Sequence, residues 1–364
     1  MIIFISAFTI CVVYIFLIIR FMIGWNRIRD FETADNELTN VPVSIVVACK
    51  NEEQNIETLL SLLKQQSHQN FELIIVNDHS TDKTEQIIEN ALQDFAQIQL
   101  INAKGLGKKN AIKEGILKAK NELIITTDAD CRPTMNWLET IISFQSQNKC
   151  DLIICPVKIS GDGGFFTRLQ SLEFASLIAS GAGAVGAGMP ILCNAANLAF
   201  TKNAWLESQS DLCESEQSGD DIFLLQSIKS RNGVIKFLKS TAAFVETAPA
   251  VSFIEFIKQR RRWAAKSSRY TDGQLIFTSL VVFFMSFMQV LLLVLSFFNP
   301  LFLIPLLILF AIKYLIDSLF LYTARTFFQI KHVWINSFFL SLIYPFYIVL
   351  VAVSGLIFKP TTWK

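Results

Sequence analysis

Long stretches without charged residues lie on both sides of a polar middle region. Residues 2–19 are apolar apart from Ser6 and Thr9, and further uncharged runs cover residues 273–312 and 333–358. A helix of about 20 residues spans a bilayer, so the first C-terminal run is long enough for two helices, which meet at the turn signal Asn299-Pro300. The pattern therefore predicts one transmembrane helix at residues 1–25 and three more within residues 273–358.

The charges beside the first apolar run predict its orientation. Arg20, Arg27 and Arg29 follow the run, whereas a cleaved signal peptide has its charges before it and a small-residue cleavage site after it. By the positive-inside rule, we expect an uncleaved anchor in the inner or plasma membrane, with residues 26–272 in the cytosol.

Two charges fall inside the third predicted membrane helix. Lys313 and Asp317 are four residues apart and so lie on one face of a helix. Two interpretations stay open: a mutually neutralising pair, or a functional intramembrane site.

Apolar strands alternate with helical patterns in the polar region. Strands are predicted at 43–48, 71–77 and 122–127, with helices between them at 52–66, 82–93 and 108–120. This alternation predicts an α/β domain with a mainly parallel sheet, inserted between transmembrane helices. Ligands of such sheets bind at the carboxyl ends of the strands, and polar residues stand there: Lys50, Asn51, Glu52, Asp78, Asp128 and Asp130.

Two short motifs suggest chemistry, and each has a simpler interpretation. Asp128 and Asp130 directly follow an apolar strand, where two neighbouring carboxylates favour a shared cation. Mg²⁺ or Mn²⁺ bound together with substrate phosphates suits such oxygen ligands. A solvated acidic turn without a metal would have the same sequence. The segment 259–263, QRRRW, precedes the second membrane run. It can bind a pyrophosphate, or form a basic patch against anionic lipid.

Composition narrows the class of protein. The chain of 364 residues is 52% hydrophobic and 17% charged, with a mean hydropathy of +0.43. The formal net charge of +1 gives no basic field for nucleic acid, and we expect no nucleic-acid partner. Seven cysteines without a CxxC pair predict reduced thiols packed as small core residues.

Seven ordered motifs between about residues 40 and 270 resemble the membrane-integrated family 2 glycosyltransferases, which include cellulose, hyaluronan and poly-N-acetylglucosamine synthases and ceramide glucosyltransferase. These motifs are SIVVACKNEE, VNDHSTD, GKKNA, TDADCRP, SGDDIFLL, ETAP and QRRRW. The resemblance implies the GT-A fold for residues 40–248, and an interfacial helix at 249–272 that contains QRRRW.

The resemblance also implies roles for individual residues. Asp221 would be the general base, and Asp130 would hold Mg²⁺ or Mn²⁺. The residues implied to bind the nucleotide-sugar or line its site are Ala48, Lys50, Glu52, Asp78, Lys108, Asp128, Asn197, Gln259, Arg262 and Trp263.

The function implied is an inverting, metal-dependent transfer of a sugar from a UDP-sugar to a membrane-associated lipid or glycan, giving a β-glycosidic bond. One alternative is a processive polysaccharide synthase that extrudes a β-linked polymer, with an export or assembly partner. The other is a membrane protein that binds nucleotide or glycan without catalysis.

Overall fold

The computed structural model describes residues 1–33, 40–161, 163–211 and 220–357, without the side chains of Asp220, Ser268, Leu356 and Ile357. The chain divides into two compact units. One is helical and comprises Met1–Arg27, Gly161–Ile191 and the segment that starts at Pro249; the other is built on a sheet and comprises Ile28–Ser160 and Leu192–Ala248.

The helical unit contains long apolar helices. Within the described ranges, four helical spans are long and apolar enough to cross a membrane. They are α1 (Ile2–Arg27), α10 (Gly273–Ser296), α11 (Leu303–Phe328, preceded by the short turn Pro300–Phe302) and α12 (Val333–Ile357). The turn after α10 begins at Asn299, whose side chain accepts from the Leu301 N–H, so the predicted break in the long apolar run is confirmed.

Two more helices belong to this unit: α6 (Phe165–Gly186) and α9 (Phe253–Ala265), which contains QRRRW. Helix α6 packs closely on α1, since a Cβ added to Gly24 would lie 1.9 Å from the carbonyl oxygen of Gly183.

The segment 181–186 spells GxGxxG, the pattern of a dinucleotide-binding turn after a strand. It lies in the last turns of a helix, where its small residues permit close helix packing.

Lys313 and Asp317 form an ion pair on α11, as the neutralising interpretation predicted. The Lys313 side chain is 3% exposed, and its ammonium lies 4.4 Å from the ring centroid of Tyr344. The hydroxyl of Tyr14 on α1 donates to the second carboxylate oxygen of Asp317 at 2.8 Å. The pair is therefore neutral and satisfied by aromatic neighbours from other helices.

Replacing one member of this ion pair should destabilise the fold more than replacing both members. We expect Lys313→Met alone to lower the free energy of unfolding by about 3 kcal/mol, because it leaves the partly buried Asp317 carboxylate without its cation, whereas Lys313→Met with Asp317→Leu should recover most of that loss. Thermal unfolding in detergent measures both variants. Lys64→Met is the control, since the exposed Lys64–Asp94 pair is worth about 0–1 kcal/mol. Equal loss in the single and double variants would contradict the account.

The sheet unit has two sheets in the described part of the chain. The larger has seven strands in the order β3-β2-β1-β4-β8-β6-β9. These are β1 (Val43–Cys49), β2 (Phe71–Asn77), β3 (Ile98–Asn102), β4 (Leu123–Thr126), β6 (Leu152–Ile154), β8 (Leu198–Thr201) and β9 (Ile235–Phe237). The smaller sheet has the order β5-β10-β7, from β5 (Arg132–Pro133), β10 (Val245–Thr247) and β7 (Val157–Ile159).

Strands β1 to β4 are parallel and β8 is antiparallel to β4. β1 is buried along its whole length, as expected for a central parallel strand covered on both faces. The helices of this unit are α2 (Ile56–Lys64), α3 (Thr84–Ala91), α4 (Lys108–Lys118), α5 (Trp137–Asn148), α7 (Lys202–Glu207) and α8 (Asp220–Ser230). Gly115 lets α4 approach β1, since a Cβ there would lie 2.5 Å from a Val46 methyl.

The fold is α/β with a mainly parallel sheet flanked in sequence by apolar helices, which confirms the predicted class. One predicted boundary is wrong. The first helix was expected to start at residue 52, but α2 starts at Ile56 and no side chain caps it. Asn51 instead has a positive φ of 54°, and its side chain bonds to the loop after β2, accepting from the Thr81 N–H at 2.8 Å.

Candidate active site

The loops that follow β1 and β2 hold each other in place. The backbone N–H of Asn51 donates to the Ser80 hydroxyl at 3.0 Å, and the N–H of Glu52 donates to the Thr84 hydroxyl at 2.7 Å. The Glu52 carboxylate is 6% exposed and accepts from the Asn55 amide at 2.8 Å. These bonds make the carboxyl edge of the two strands a fixed frame, with the neighbouring Ala48 buried in β1.

Asp78 is a fully buried carboxylate at the end of β2. Both of its oxygens accept from the N–H of Gly107 at 3.1 Å, and the Lys50 ammonium lies 3.6 Å away. Gly107 has a φ of +95°, a conformation that costs glycine little and other residues more. The carboxylate thus ties the loop after β1 to the start of α4.

Lys108, the first residue of α4, forms an ion pair with Asp128. Burial alone would lower the pKa of the Lys108 ammonium, but the nearby carboxylates of Asp128, Asp130 and Asp221 outweigh it and raise that pKa. Lys108 is therefore a cation at neutral pH. Three carboxylates that are up to 93 positions apart in sequence therefore lie near the Lys108 ammonium.

Asp128 and Asp130 lie in a turn directly after β4, which is closed by a bond from the Cys131 N–H to the Asp128 carbonyl at 3.0 Å. Burial raises the pKa of the Cys131 thiol well above its usual value, and the charges of the same two aspartates raise it further. Cys131 is consequently a neutral packing residue. This agrees with the expectation of core thiols, and Cys11, Cys49, Cys150 and Cys155 are buried as well.

Asp221 lies in the first turn of α8. One carboxylate oxygen accepts from the Ala195 N–H at 3.2 Å, and the other accepts from the Ile222 N–H at 2.9 Å. Thr126 and Thr127, at the end of β4, donate to the carbonyls of Ala195 and Ala196 at 3.0 and 2.9 Å. The 3₁₀ turn Ala195–Asn197 therefore connects Asp221 to the end of the strand that precedes Asp128.

Asn197 is fully buried with its amide saturated by protein groups. Its nitrogen donates to the carbonyls of Pro156 and Ala243 at 2.7 and 2.9 Å, and its oxygen accepts from the indole N–H of Trp137 at 2.8 Å. This side chain therefore fixes the loop before β8 through its own bonds to the protein.

The acidic turn fits a divalent cation that arrives with a phosphate ligand. Within the described ranges, no group of three or more His, Cys, Asp or Glu side chains could hold a metal ion by itself. Mg²⁺ is usually held by one or two carboxylates together with substrate phosphates. The half-buried Asp128 and Asp130 offer oxygen ligands of that kind, beside the cationic Lys108.

The QRRRW motif lies on α9, in the helical unit. Gln259, Arg262 and Trp263 are all half-buried. Arg260, one of the two arginines between Gln259 and Arg262, is 5% exposed and pairs with Glu173 of α6. The sequence singled out Arg260 only as part of QRRRW and did not single out Glu173, because their partnership spans 87 positions and Glu173 lies in an ordinary helical pattern.

The two units thus contain different parts of the predicted site. The sheet unit brings together Lys50 with Asp78, and Lys108 with the three acids, along the edge where Ala48, Glu52 and Asn197 also lie. Gln259, Arg262 and Trp263 belong to the helical unit.

Known proteins resemble this chain in sequence and in fold. Residues 44–205 match Glycosyl transferase family 2. A poly-beta-1,6-N-acetyl-D-glucosamine synthase of Staphylococcus aureus is 29% identical over 139 residues, 37% of this chain and 33% of that protein. The synthase of the same name from Staphylococcus epidermidis is 30% identical over 140 residues, with the same two shares. The matched region spans only about a third of these curated relatives.

One solved structure covers almost the whole chain. The mannosyltransferase PcManGT from Pyrobaculum calidifontis, in complex with GDP-Man and Mn²⁺, superimposes with a TM-score of 0.59 at 15% identity, over 98% of this chain and 97% of that one. At this identity the likeness concerns the fold. The sequence match makes residues 44–205 similar to the family 2 glycosyltransferases, in a chain whose described part has four helices long and apolar enough to cross a membrane.

Proposed function

We propose that this protein is an inverting glycosyltransferase that moves a sugar from a UDP-sugar to a membrane-associated lipid or glycan and forms a β-glycosidic bond. The observation that supports this most is the convergence of Asp128, Asp130 and Asp221 on Lys108 at the carboxyl edge of the sheet. Leaving-group stabilisation and proton removal need a cation and carboxylates close together, and this edge supplies both.

The nucleotide end of the donor would bind beside β1 and β2. Asp78 and Glu52 are buried acceptors there, held by backbone and side-chain donors, and Lys50 supplies a positive charge 3.6 Å from Asp78. Acceptors held in this way can receive a base N–H or a ribose hydroxyl without rearranging. Ala48 would contribute backbone and a small surface, and Asn197 would act indirectly by fixing the loop before β8.

The diphosphate would lie beside Lys108 and Asp128, with Asp130 holding Mg²⁺ or Mn²⁺. When bound, the ion neutralises charge on the leaving diphosphate. The Lys108 ammonium, kept protonated by its acidic neighbours, stabilises the same developing charge from the protein side. Asp128 keeps that ammonium in place while the diphosphate is absent.

Asp221 would take the proton from the attacking hydroxyl. Its bonds from two backbone N–H groups fix the direction of the carboxylate, which a general base requires. Attack opposite the diphosphate inverts the α-linked donor to a β product in one displacement.

The helical unit suits an acceptor that is lipid-linked or must cross a membrane. Gln259, Arg262 and Trp263 on α9 would contact the pyrophosphate or the acceptor. A processive synthase remains the second candidate, because the relatives matched in sequence are named as polymer synthases; an export or assembly partner would accompany that function. Binding without catalysis is the third.

A donor panel tests the proposal. Purified protein in lipid bilayers is incubated with labelled UDP-sugars, Mn²⁺ and a membrane lipid extract, and released UDP and labelled product are measured. We expect UDP release that depends on one sugar and on the extract. Nucleotide-sugar binding without UDP release under all conditions would reject catalysis in favour of a binding protein.

Trp263→Ala should impair turnover more than folding. The ring lies 4.2 Å from the guanidinium of Arg260, inside the motif, so its loss should lower kcat by about 10-fold or more through misplacement of the acceptor. Trp334→Ala is the control, since Trp334 lies in the first turn of α12 and is 38% exposed. Wild-type turnover in well-folded Trp263→Ala protein would make Trp263 a membrane anchor.

We further propose that the catalytic domain faces the cytosol, where UDP-sugars are made. A reporter placed at the exposed Gln93 (Gln93→Cys) should resist an impermeant thiol reagent in intact cells and react after permeabilisation. Labelling in intact cells would reverse the orientation.

A further inference from the structure

Arg260 is the buried centre of the motif helix. Its Nε donates to Glu173 Oε1 at 3.1 Å, and a terminal nitrogen donates to Glu173 Oε2. Glu173, on α6, is 5% exposed. The pair is bidentate and charge-assisted, which gives it a defined geometry as well as a strong attraction.

The other terminal nitrogen of Arg260 orients Gln259. It donates to Gln259 Oε1 at 2.6 Å. A guanidinium has donors and no acceptor, so the Gln259 amide oxygen must face Arg260. The amide nitrogen then points away from Arg260, and Gln259 offers the rest of the site a hydrogen-bond donor.

The same guanidinium lies over the ring of Trp263, 4.2 Å from its centroid. Two of the three motif residues assigned to the site are thus in contact with Arg260. Their geometry depends on one cation whose own position is fixed by a carboxylate from another helix.

Glu173 has one more partner. The hydroxyl of Tyr347 on α12 donates to Glu173 Oε1 at 2.8 Å. The carboxylate therefore accepts from two helices, α9 and α12. Removing its charge leaves Arg260 buried without an anion, a state that favours displacement of the guanidinium.

We propose that Glu173 is a positioning residue for glycosyl transfer: through Arg260 it fixes Trp263 and orients the Gln259 amide so that its nitrogen is a hydrogen-bond donor for an oxygen-rich ligand of the transfer reaction. The use of this donor rests on the proposed function. The arrangement of the four side chains does not.

A double-mutant cycle tests the proposal. Glu173→Gln keeps the shape and removes the charge, and we expect kcat to fall about 10-fold with a smaller change in the KM of the UDP-sugar. Gln259→Ala should also lower kcat. If Glu173 acts through Gln259, the double variant should be no slower than the slower single variant, because coupled residues are not additive. A double variant whose loss is the product of the two single losses would overturn the proposal.

A second measurement needs no activity. Displacement of Arg260 should change tryptophan emission in Glu173→Gln, and the change should disappear when Trp263→Phe is the background. Unchanged emission would overturn the proposal. An emission change in a protein that transfers no sugar would support the positioning of Trp263 and reject glycosyl transfer, so the two failures are distinguishable.

Control variants separate positioning from folding. Glu255→Gln makes the same chemical change on α9 at an exposed carboxylate that accepts from the Val251 N–H, and it should leave kcat and emission unchanged. Should Glu173→Gln fail to fold, Tyr347→Phe takes its place as the test, because it removes one hydrogen bond to Glu173. We expect kcat to fall about 2- to 5-fold in Tyr347→Phe. The same change made in the Gln259→Ala background should cause no further fall in kcat. Tyr314→Phe, which loses a bond to the Trp334 carbonyl, is its matched control. A loss from Tyr347→Phe that persists in full in Gln259→Ala would contradict the proposal.

Discussion

Asp221→Asn is expected to lower the rate of sugar transfer by about 10²-fold or more, the usual scale of general-base catalysis, while nucleotide-sugar binding stays within a few-fold of wild type. The amide keeps an oxygen that can accept from the Ala195 N–H, as the carboxylate does at 3.2 Å, so the loop geometry should survive. It cannot accept the proton of the attacking hydroxyl. Single-turnover transfer and equilibrium binding of the UDP-sugar, measured on the same preparation, separate the two effects.

The adjacent acid provides the control. Asp220 and Asp221 both lie at the start of α8, and successive residues of a helix point about 100° apart, so we expect only one to reach the hydroxyl. Asp220→Asn should be the milder change. An active Asp221→Asn with an inactive Asp220→Asn moves the base to Asp220, and two active variants reject general-base catalysis by this pair.

Asp130→Ala is expected to abolish both metal-dependent donor binding and turnover, because a divalent ion and a diphosphate bind as one unit. We expect wild-type transfer to stop with a chelator and to return with Mg²⁺ or Mn²⁺. In Asp130→Ala, added metal should restore little, and turnover should stay at least 10²-fold below wild type. Titration of UDP-sugar binding with Mn²⁺ gives the metal dependence directly.

A distant acid shows whether the effect is specific. Asp211 accepts hydrogen bonds from Ser227 and Arg231, away from the Lys108 cluster. In Asp211→Ala, UDP-sugar binding and turnover should therefore depend on added Mg²⁺ or Mn²⁺ as they do in the wild-type protein. Chelator-resistant transfer by the wild-type protein would reject the metal assignment.

Much of the sheet unit could be predicted from sequence because its signals are local. The runs 43–48 and 71–77 are continuous and apolar, and the observed β1 and β2 differ from them by one residue or none. The polar residues at their carboxyl ends converge because parallel strands bring those ends to one edge. Asp221 at the start of α8 was likewise visible, as two acids before an apolar helical run.

Side-chain partnerships across long separations were not accessible in the same way. Asn51 could equally cap a helix or bond to the next loop, and the bond to Thr81 depends on β1 and β2 being neighbours. The Glu173–Arg260 pair requires the packing of α6 against α9. Lys313 and Asp317 were predictable as a pair since they are one turn apart, but the bond from Tyr14 required the position of α1.

The anomeric configuration of the product tests the central claim most directly. The purified protein, reconstituted in bilayers with Mn²⁺ and its acceptor extract, receives the α-linked UDP-sugar labelled with ¹³C at the anomeric carbon, and the product is analysed by NMR and by size. We expect release of UDP and a β-glycosidic signal in a membrane-associated product, absent with Asp221→Asn. An α-linked product, or free labelled sugar without an acceptor adduct, would contradict inverting transfer to a membrane acceptor.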